Sequence, residues 1–431
     1  MSKATADVAM VGTALGASAI AGVGYGVPFW TMTFMLGGGI AGGTISLVSQ
    51  RYGADEHDAI GVAVVVSAIV AVVTMLPLVV LFWTVPELLI RLIGTGDAAV
   101  TYGARYLKVA SLAMPFAALN LVGSRALVGA NDATTPMLVR AGGAVANIGL
   151  NAVLIFVFDM GVVGAALGTV IGNVVSTVAF IGAFAAGRFP LVGDLPICVR
   201  RSALRWDADT ARHLVRISGP LALRNVAQNG GQFPMLAIVG LFGPNVVAAF
   251  VIALRVRALM NTPGWGFGLA SSSLVGQSLG TGAEHEAEAY ARDTLRFTVA
   301  VYTVAAVLVF VAATPVSGLF VDDPSIVPTT AALIRATCVS VILWGWMNGS
   351  MGPLRASGDT AWPFYAQVVG LGAFALPVAY AGATTSLGLW GLYAALVFET
   401  GVPAAVIYYR YRTDKWKLIS RAHRAAAVGK A

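Results

Sequence analysis

Apolar runs of about twenty residues recur along this chain, each long enough for a helix to cross the ~30 Å of hydrocarbon in a bilayer. Bounded by glycines, prolines and rare charges, they predict about twelve spans. The first is short, at 1–14, and is followed by 19–48, 60–84, 104–128, 136–158 and 162–187. A second group covers 215–241, 246–276, 295–313, 328–352, 361–382 and 388–410. Of the 431 residues 58% are hydrophobic and only 11% are charged. An average globular chain carries roughly 25% charged residues, so this one lacks the charge to cover a water-facing surface. No run alternates at period two, as the strands of an outer-membrane barrel would. The expected fold is therefore an all-α polytopic membrane protein. Its 50 glycines and 18 prolines suit helices that pack closely and tolerate breakers in lipid.

Basic residues set the expected orientation. Alternating the spans collects Arg51, Arg125, Arg140, Arg292, Arg296, Arg355 and Arg410, with the arginines of 187–216, on one side. The other side holds only Arg91, Arg105, Lys108 and Arg335. The positive-inside rule makes the first side cytoplasmic and places both termini there, with the cell (plasma) membrane as the expected location. The polar stretch from Gly187 to Arg216 reads as a connector. The expected organisation is an amino-terminal lobe at 1–187, a cytoplasmic linker at 188–214, a carboxyl-terminal lobe at 215–410 and a basic tail at 411–431. The tail, beginning at Tyr411-Arg412, reads as a lipid-headgroup-facing end and not as a nucleic-acid ligand.

An internal repeat orders the two halves. Ser46-Leu47-Val48-Ser49-Gln50 matches Ser273-Leu274-Val275-Gly276-Gln277 at an offset of 227. The same offset takes Gly16 to Gly243, Gly37 to Gly264, Asp132 to Asp359, Pro136 to Pro363 and Gly161 to Gly388. Chance matches among glycines would not keep one register over three separated blocks. Six spans per copy is an even number, so the copies share one orientation and are expected to form two six-helix bundles related by pseudo-two-fold symmetry. The seventh span begins near Val215, and 215 − 227 = −12, so the first span is expected to be truncated.

With the repeat in place, the chain resembles the MATE family (multidrug and toxic compound extrusion). The resembling residues are Asp7 to Gly12, Ser46 to Gly53 with its copy Ser273 to Gly280, and Arg125 to Asp132 with its copy Pro353 to Asp359. Asn147 to Asn151 and Gly164 to Thr169 complete the set. It looks nearer the DinF-like and archaeal branch than the NorM-like branch. The resemblance implies a secondary active exporter of organic cations and drugs, exchanging them for Na⁺ or H⁺ by alternating access. It also implies small-molecule substrates and lipids as partners, a monomer, no nucleic acid and no cofactor beyond the transported coupling ion.

A carboxylate inside a bilayer costs about 2.5 kcal/mol or more, which makes Asp7 a functional candidate. In the resembled family the corresponding aspartate is the coupling site of the first lobe. Its partners on the fifth and sixth spans would here be Asn147, Asn151 and Thr169, the two amides standing on one helix face at i, i+4. The same amides would also serve as interhelical hydrogen-bond glue. The second-lobe Na⁺ site of the NorM-like branch falls on Gln228 and Trp344, and an indole cannot ligate a hard cation that prefers oxygen. Trp30, Gln228, Trp265 and Trp344 are candidates to line a substrate path, because aromatic faces suit flat organic cations. Glu399 lies about as deep as Arg255, which predicts either a buried Arg255–Glu399 ion pair or a second coupling site. The arginines Arg224, Arg255 and Arg257 in the second half keep a lipid-linked oligosaccharide flippase of the same superfamily as the alternative. Enzyme readings fail: His285-Glu286 lacks a second histidine at metalloprotease spacing, and Cys198 and Cys338 share no metal-binding spacing.

Overall fold

Glycine and proline punctuation, more than side-chain propensity, decides where these helices end. The computed structural model describes residues 10–320 and 324–428, with side chains through residue 422. One compact unit takes in residues up to Arg51 and Asp55–Ala222; the other takes in Tyr52–Ala54 and everything from Leu223. In the first unit run α1 (Ala17–Gly53), α2 (His57–Thr84), α3 (Asp97–Gly129), α4 (Thr134–Val157) and α5 (Gly161–Ala186). Next come α6 (Ala208–Gly230) and α7 (Gln232–Gly240). They are followed by α8 (Pro244–Thr281), α9 (Glu284–Val311), α10 (Val327–Ser357), α11 (Ala361–Thr384) and α12 (Leu389–Arg412). A tail helix, α13 (Lys415–Val428), closes the chain.

Among the described residues ten helices are long and apolar enough to cross a membrane, α1 to α5 and α8 to α12. The seventh span is α6 with α7, interrupted at Gly230-Gly231, which leaves α7 only nine residues. Residues 10–15, ahead of Gly16, are helical. The rest of the first span, and so the expected truncation, lies outside the described residues. The burial pattern is that of helices in lipid: Thr33, Thr44, Ser46 and Ser49 on α1 are fully buried, while Val73 and Val80 on α2 are exposed. Small and hydroxylic side chains let helices approach, and large apolar ones meet hydrocarbon at no cost.

The repeat is written into the backbone. Left-handed residues recur at the offset of 227: Gly16 and Gly243, Asp55 and Gly282, Asn131 and Gly358, Gly161 and Gly388, Gly187 and Asp414. At Gly161 and Gly388 φ is 52° and 54°, which glycine adopts without the clash a Cβ would bring. Helix starts keep the same step, His57 to Glu284 and Thr134 to Ala361.

The polar connector is more structured than a linker at 188–214. Arg188–Phe189 pairs antiparallel with Gly193–Asp194 in a small hairpin. Ala203 packs against Gly61 of α2, and Arg51 donates to the Ala59 carbonyl at 2.7 Å and to Thr210 Oγ1 at 2.9 Å. The seventh helix starts at Ala208, seven residues before the expected Val215. Asp207 explains the early start: its Oδ1 accepts the Thr210 backbone N–H at 2.6 Å, satisfying one of the helix's open donors.

Candidate functional site

In the first unit, α4 and α5 approach so closely that a Cβ at Gly172 would meet Asn147 Cβ at 2.9 Å and the Gly143 carbonyl at 3.2 Å. Two carboxamides are trapped at this contact. Asn147 and Asn151 are both 0% exposed, and Thr169 on α5 is buried beside them. Asn147 Nδ2 donates to Asn151 Oδ1 at 3.5 Å and to Thr169 Oγ1 at 3.4 Å. Asn147 Oδ1 has no partner among the described residues. A buried carbonyl oxygen without a donor is costly, and a cation or a shared proton would remove that cost. Asp7, the fourth member expected here, lies outside the described residues.

Thr169 also lines a cavity of about 330 Å³ in the same unit. Trp30, Phe34 and Tyr106 give it aromatic faces, and Asn120, Asn173 and Ser176 give it polar ones. Asn120 and Asn173, with the neighbouring Thr177, form one chain of hydrogen bonds. Thr177 Oγ1 donates to Asn120 Oδ1 at 3.0 Å, Asn120 Nδ2 to the Asn173 carbonyl at 3.1 Å, and Asn173 Nδ2 to the Thr169 carbonyl at 2.8 Å. Arg140, whose side chain is exposed, completes the lining. The buried amide cluster and an aromatic cavity therefore share one residue and one hydrogen-bonded chain.

In the second unit Glu399 pairs with Arg257 and not with Arg255. Arg257 Nη1 donates to Glu399 Oε2 at 2.8 Å and Nη2 to Oε1 at 3.5 Å, with the side chains only 7% and 14% exposed. Arg255 is exposed. The arginines are two positions apart, a rise of ~3 Å but a turn of roughly 200° around the helix. Depth alone could not distinguish them; the buried face carrying Ala253, Arg257, Asn261 and Gly264 does. Trp344 lies under the Arg257 guanidinium, 5.2 Å from ring centre to Cζ, so its face is already taken by a cation of the chain itself. Trp265 is 66% exposed on the outside of α8, and Gln228 is half-buried near the end of α6. Of the four residues expected along a substrate path, Trp30 lines the first-unit cavity.

The offset that relates the halves also relates these sites. Subtracting 227 takes Arg257 to Trp30, Asn261 to Phe34, Trp344 to Ala117, Asn348 to Leu121 and Glu399 to Gly172. All five first-unit positions line the cavity. Their second-unit counterparts are an ion pair, an indole and two amides bridged by Tyr302, whose hydroxyl donates to Asn261 Oδ1 at 2.5 Å and accepts from Asn348 Nδ2 at 3.4 Å. The cavity is open at one copy of the repeat and filled with polar contacts at the other. That mapping was the signal in the sequence that would have identified Arg257. Asn120, Asn173 and Thr177 carry no such mark, because the contacts that join them span 53 and 57 residues.

Ten membrane-length helices among the described residues, a repeat in two copies and a cavity lined by aromatic and amide side chains in one copy are the features of a polytopic membrane transport protein. A family model described as MatE matches residues 2–153 and 220–381, well over half of the chain, and the protein belongs to that family of transporters, which are not enzymes. The probable multidrug resistance protein YoeA of Bacillus subtilis (strain 168) is 25% identical over 417 residues, covering 94% of this chain and 88% of the relative. Multidrug export protein MepA of Staphylococcus saprophyticus is 24% identical over 344 residues, covering 79% and 74%. The fold matches an outward-facing structure of a multidrug resistance MATE family transporter of the MOP superfamily. That match has a TM-score of 0.86, 22% identity, and coverage of 97% of this chain and 92% of the other. The crystal structure of the eukaryotic MATE transporter AtDTX14 matches at a TM-score of 0.83 and 19% identity, covering 98% and 94%.

Proposed function

We propose that this protein is a secondary active exporter of flat organic compounds, organic cations among them, driven by the entry of Na⁺ or H⁺. The observation that carries the reading is Thr169. It touches the buried Asn147–Asn151 amides on one side and the aromatic cavity on the other, so a change of charge at the amides is felt where a substrate would sit. Asp7 supplies the titratable or cation-binding carboxylate, and Asn147, Asn151 and Thr169 supply neutral oxygens. Trp30, Phe34 and Tyr106 hold an aromatic substrate by its faces, while the amides orient its polar edge. Export, and not transfer of a lipid-linked sugar, is favoured because the curated relatives carry multidrug names. The protein acts as a monomer in the cell membrane, and its basic loops put both termini in the cytoplasm.

The test is ethidium or norfloxacin efflux in a transporter-deficient strain, with the Na⁺ and proton gradients collapsed in turn. Wild type should export under one gradient and stop when it is collapsed. Thr169→Val should keep the protein in the membrane and cut efflux at least several-fold. Efflux indifferent to both gradients would overturn the reading.

A further inference from the structure

Under the polar connector the first unit holds a second cavity, of about 620 Å³. Its walls are apolar: Val64 and Ala68 on α2, Leu119 on α3, and Ile181 and Phe184 on α5. Along α5 the lining runs from Thr177 to Ala185. Those eight steps rise roughly 12 Å, most of the ~15 Å of hydrocarbon in one leaflet. Ile181 and Ala185 are exposed, so the mouth lies on an uncovered face of α5. The connector closes one end with Cys198, Arg200 and Arg201. It is held in place there. The Val199 N–H donates to the Phe184 carbonyl at 2.9 Å, and Ala203 clusters with Val62 and Val66 of α2.

The charge at that end is positive and little of it is matched. From Gly187 to Arg216 there are six arginines and three aspartates, and Asp207 and Asp209 are engaged with Thr210 and Arg212. Arg200 reaches only Asp58, at 3.7 Å and with both side chains exposed, and the Arg201 side chain has no partner among the described residues. The same segment exposes Leu191, Leu204 and Trp206. Leucines, an indole and guanidinium groups together on one surface segment are the make-up of a headgroup-level interface. Nor does the repeat require a hollow here. At the offset of 227 Leu119, Ile181 and Phe184 become Trp346, Tyr408 and Tyr411, whose rings pack Trp346 on Tyr408 and Tyr411 on Trp416. The first copy thus keeps open what the second fills with aromatic rings. An apolar hollow one leaflet deep, with guanidinium groups at one end, has the polarity of a phospholipid. Basic clusters at a membrane surface favour anionic headgroups, and guanidinium matches phosphate by geometry as well as charge.

We propose that this cavity binds one anionic phospholipid, with an acyl chain between α2, α3 and α5 and the phosphate at Arg200 and Arg201. The site depends on the spans lying in a membrane and not on the export reading, and it is read by binding without transport. Full-length protein in neutral detergent, with mixed micelles of phosphatidylglycerol or of phosphatidylcholine with the same chains, is alkylated with N-ethylmaleimide. Cys198 is exposed and Cys338 is buried, so the fast reaction reports the cavity mouth. Each protein is scored by its own ratio of rates, phosphatidylcholine over phosphatidylglycerol. Wild type should give about three or more, as mass action requires once the lipid exceeds its dissociation constant a few times over. Arg200→Gln with Arg201→Gln removes the charge, and Ala185→Trp narrows the cavity from an exposed position; each should equalise the two rates. Glycerol phosphate, which carries the headgroup charge without a chain, should not protect. Equal rates in wild type overturn the proposal. So does a ratio retained by the double arginine variant or by Ala185→Trp, since the lipid would then act only through surface charge. Protection by glycerol phosphate equal to that by the lipid overturns it too, as a site for an anion alone. If the double variant does not fold, Arg201→Gln decides: it should lose most of the protection, and full protection overturns the proposal.

Discussion

Glu399 and Arg257 show how one azimuth on a helix decides a residue's role. Removing one partner of a buried pair strands the other, at a cost of about 3–5 kcal/mol. Glu399→Gln should therefore lower the thermal midpoint by several degrees, and Arg257→Met combined with Glu399→Leu should recover most of it. The non-additivity of that cycle, read from melting curves, measures the coupling. Arg255→Gln, on the exposed face, should stay within about 0.5 kcal/mol of wild type. A Glu399→Gln protein with an unchanged midpoint but no transport would make Glu399 a coupling residue instead of a packing one. The sequence made Glu399 conspicuous, since it is a carboxylate in mid-span. Its partner was not legible from depth, because Arg255 and Arg257 differ by only ~3 Å along the axis while facing opposite ways.

Elements depend on a few backbone-level devices that are testable singly. Asp207 caps α6, and its carboxyl is held below the ordinary value of 3.8 chiefly by the Thr210 N–H and further by the Arg51 charge. Asp207→Ala should cost about 1 kcal/mol at neutral pH. Because the folded-state value is the lower one, the cap's contribution is present above pH 3.8 and is lost as pH falls through the folded value. The difference in midpoint between wild type and Asp207→Ala should thus hold at neutral pH and close on acidification. Gly172→Ala would set a methyl against Asn147 and the Gly143 carbonyl, forcing α5 away from α4. It should destabilise by about 1–3 kcal/mol and impair transport with it, measured by melting and efflux on the same preparation. Span count and register were legible at this scale, because apolar length and glycine position are local properties. The start of α6 was not, because the cap lies in a polar stretch with no periodicity, and the α6–α7 break at Gly230-Gly231 falls inside what reads as one continuous span at 215–241.

At the scale of the molecule, a duplicated six-span unit has specialised. One copy keeps an aromatic cavity beside Asn147, Asn151 and Thr169; the other fills the equivalent positions with Arg257, Glu399 and Trp344. Trp30→Ala should consequently reduce efflux of flat aromatic substrates well below wild type, whereas Trp265→Ala, on an exposed face, should leave it nearly unchanged; fluorescence efflux assays on matched expression levels check both. Repetition itself was plain in the sequence, through one offset held across the chain. Which copy is open was not, because openness follows from side-chain volume at Gly172 against Glu399 and Ala117 against Trp344, and each exchange reads as ordinary drift until the helices are packed. The central claim, that ion entry at the first-lobe amides drives export through the first-lobe cavity, is tested most directly in proteoliposomes with an imposed gradient. Purified wild type should move ethidium only when a Na⁺ or proton gradient is applied, and Asp7→Asn, equally folded and inserted, should move none. Equal gradient-driven transport by Asp7→Asn and wild type would contradict it.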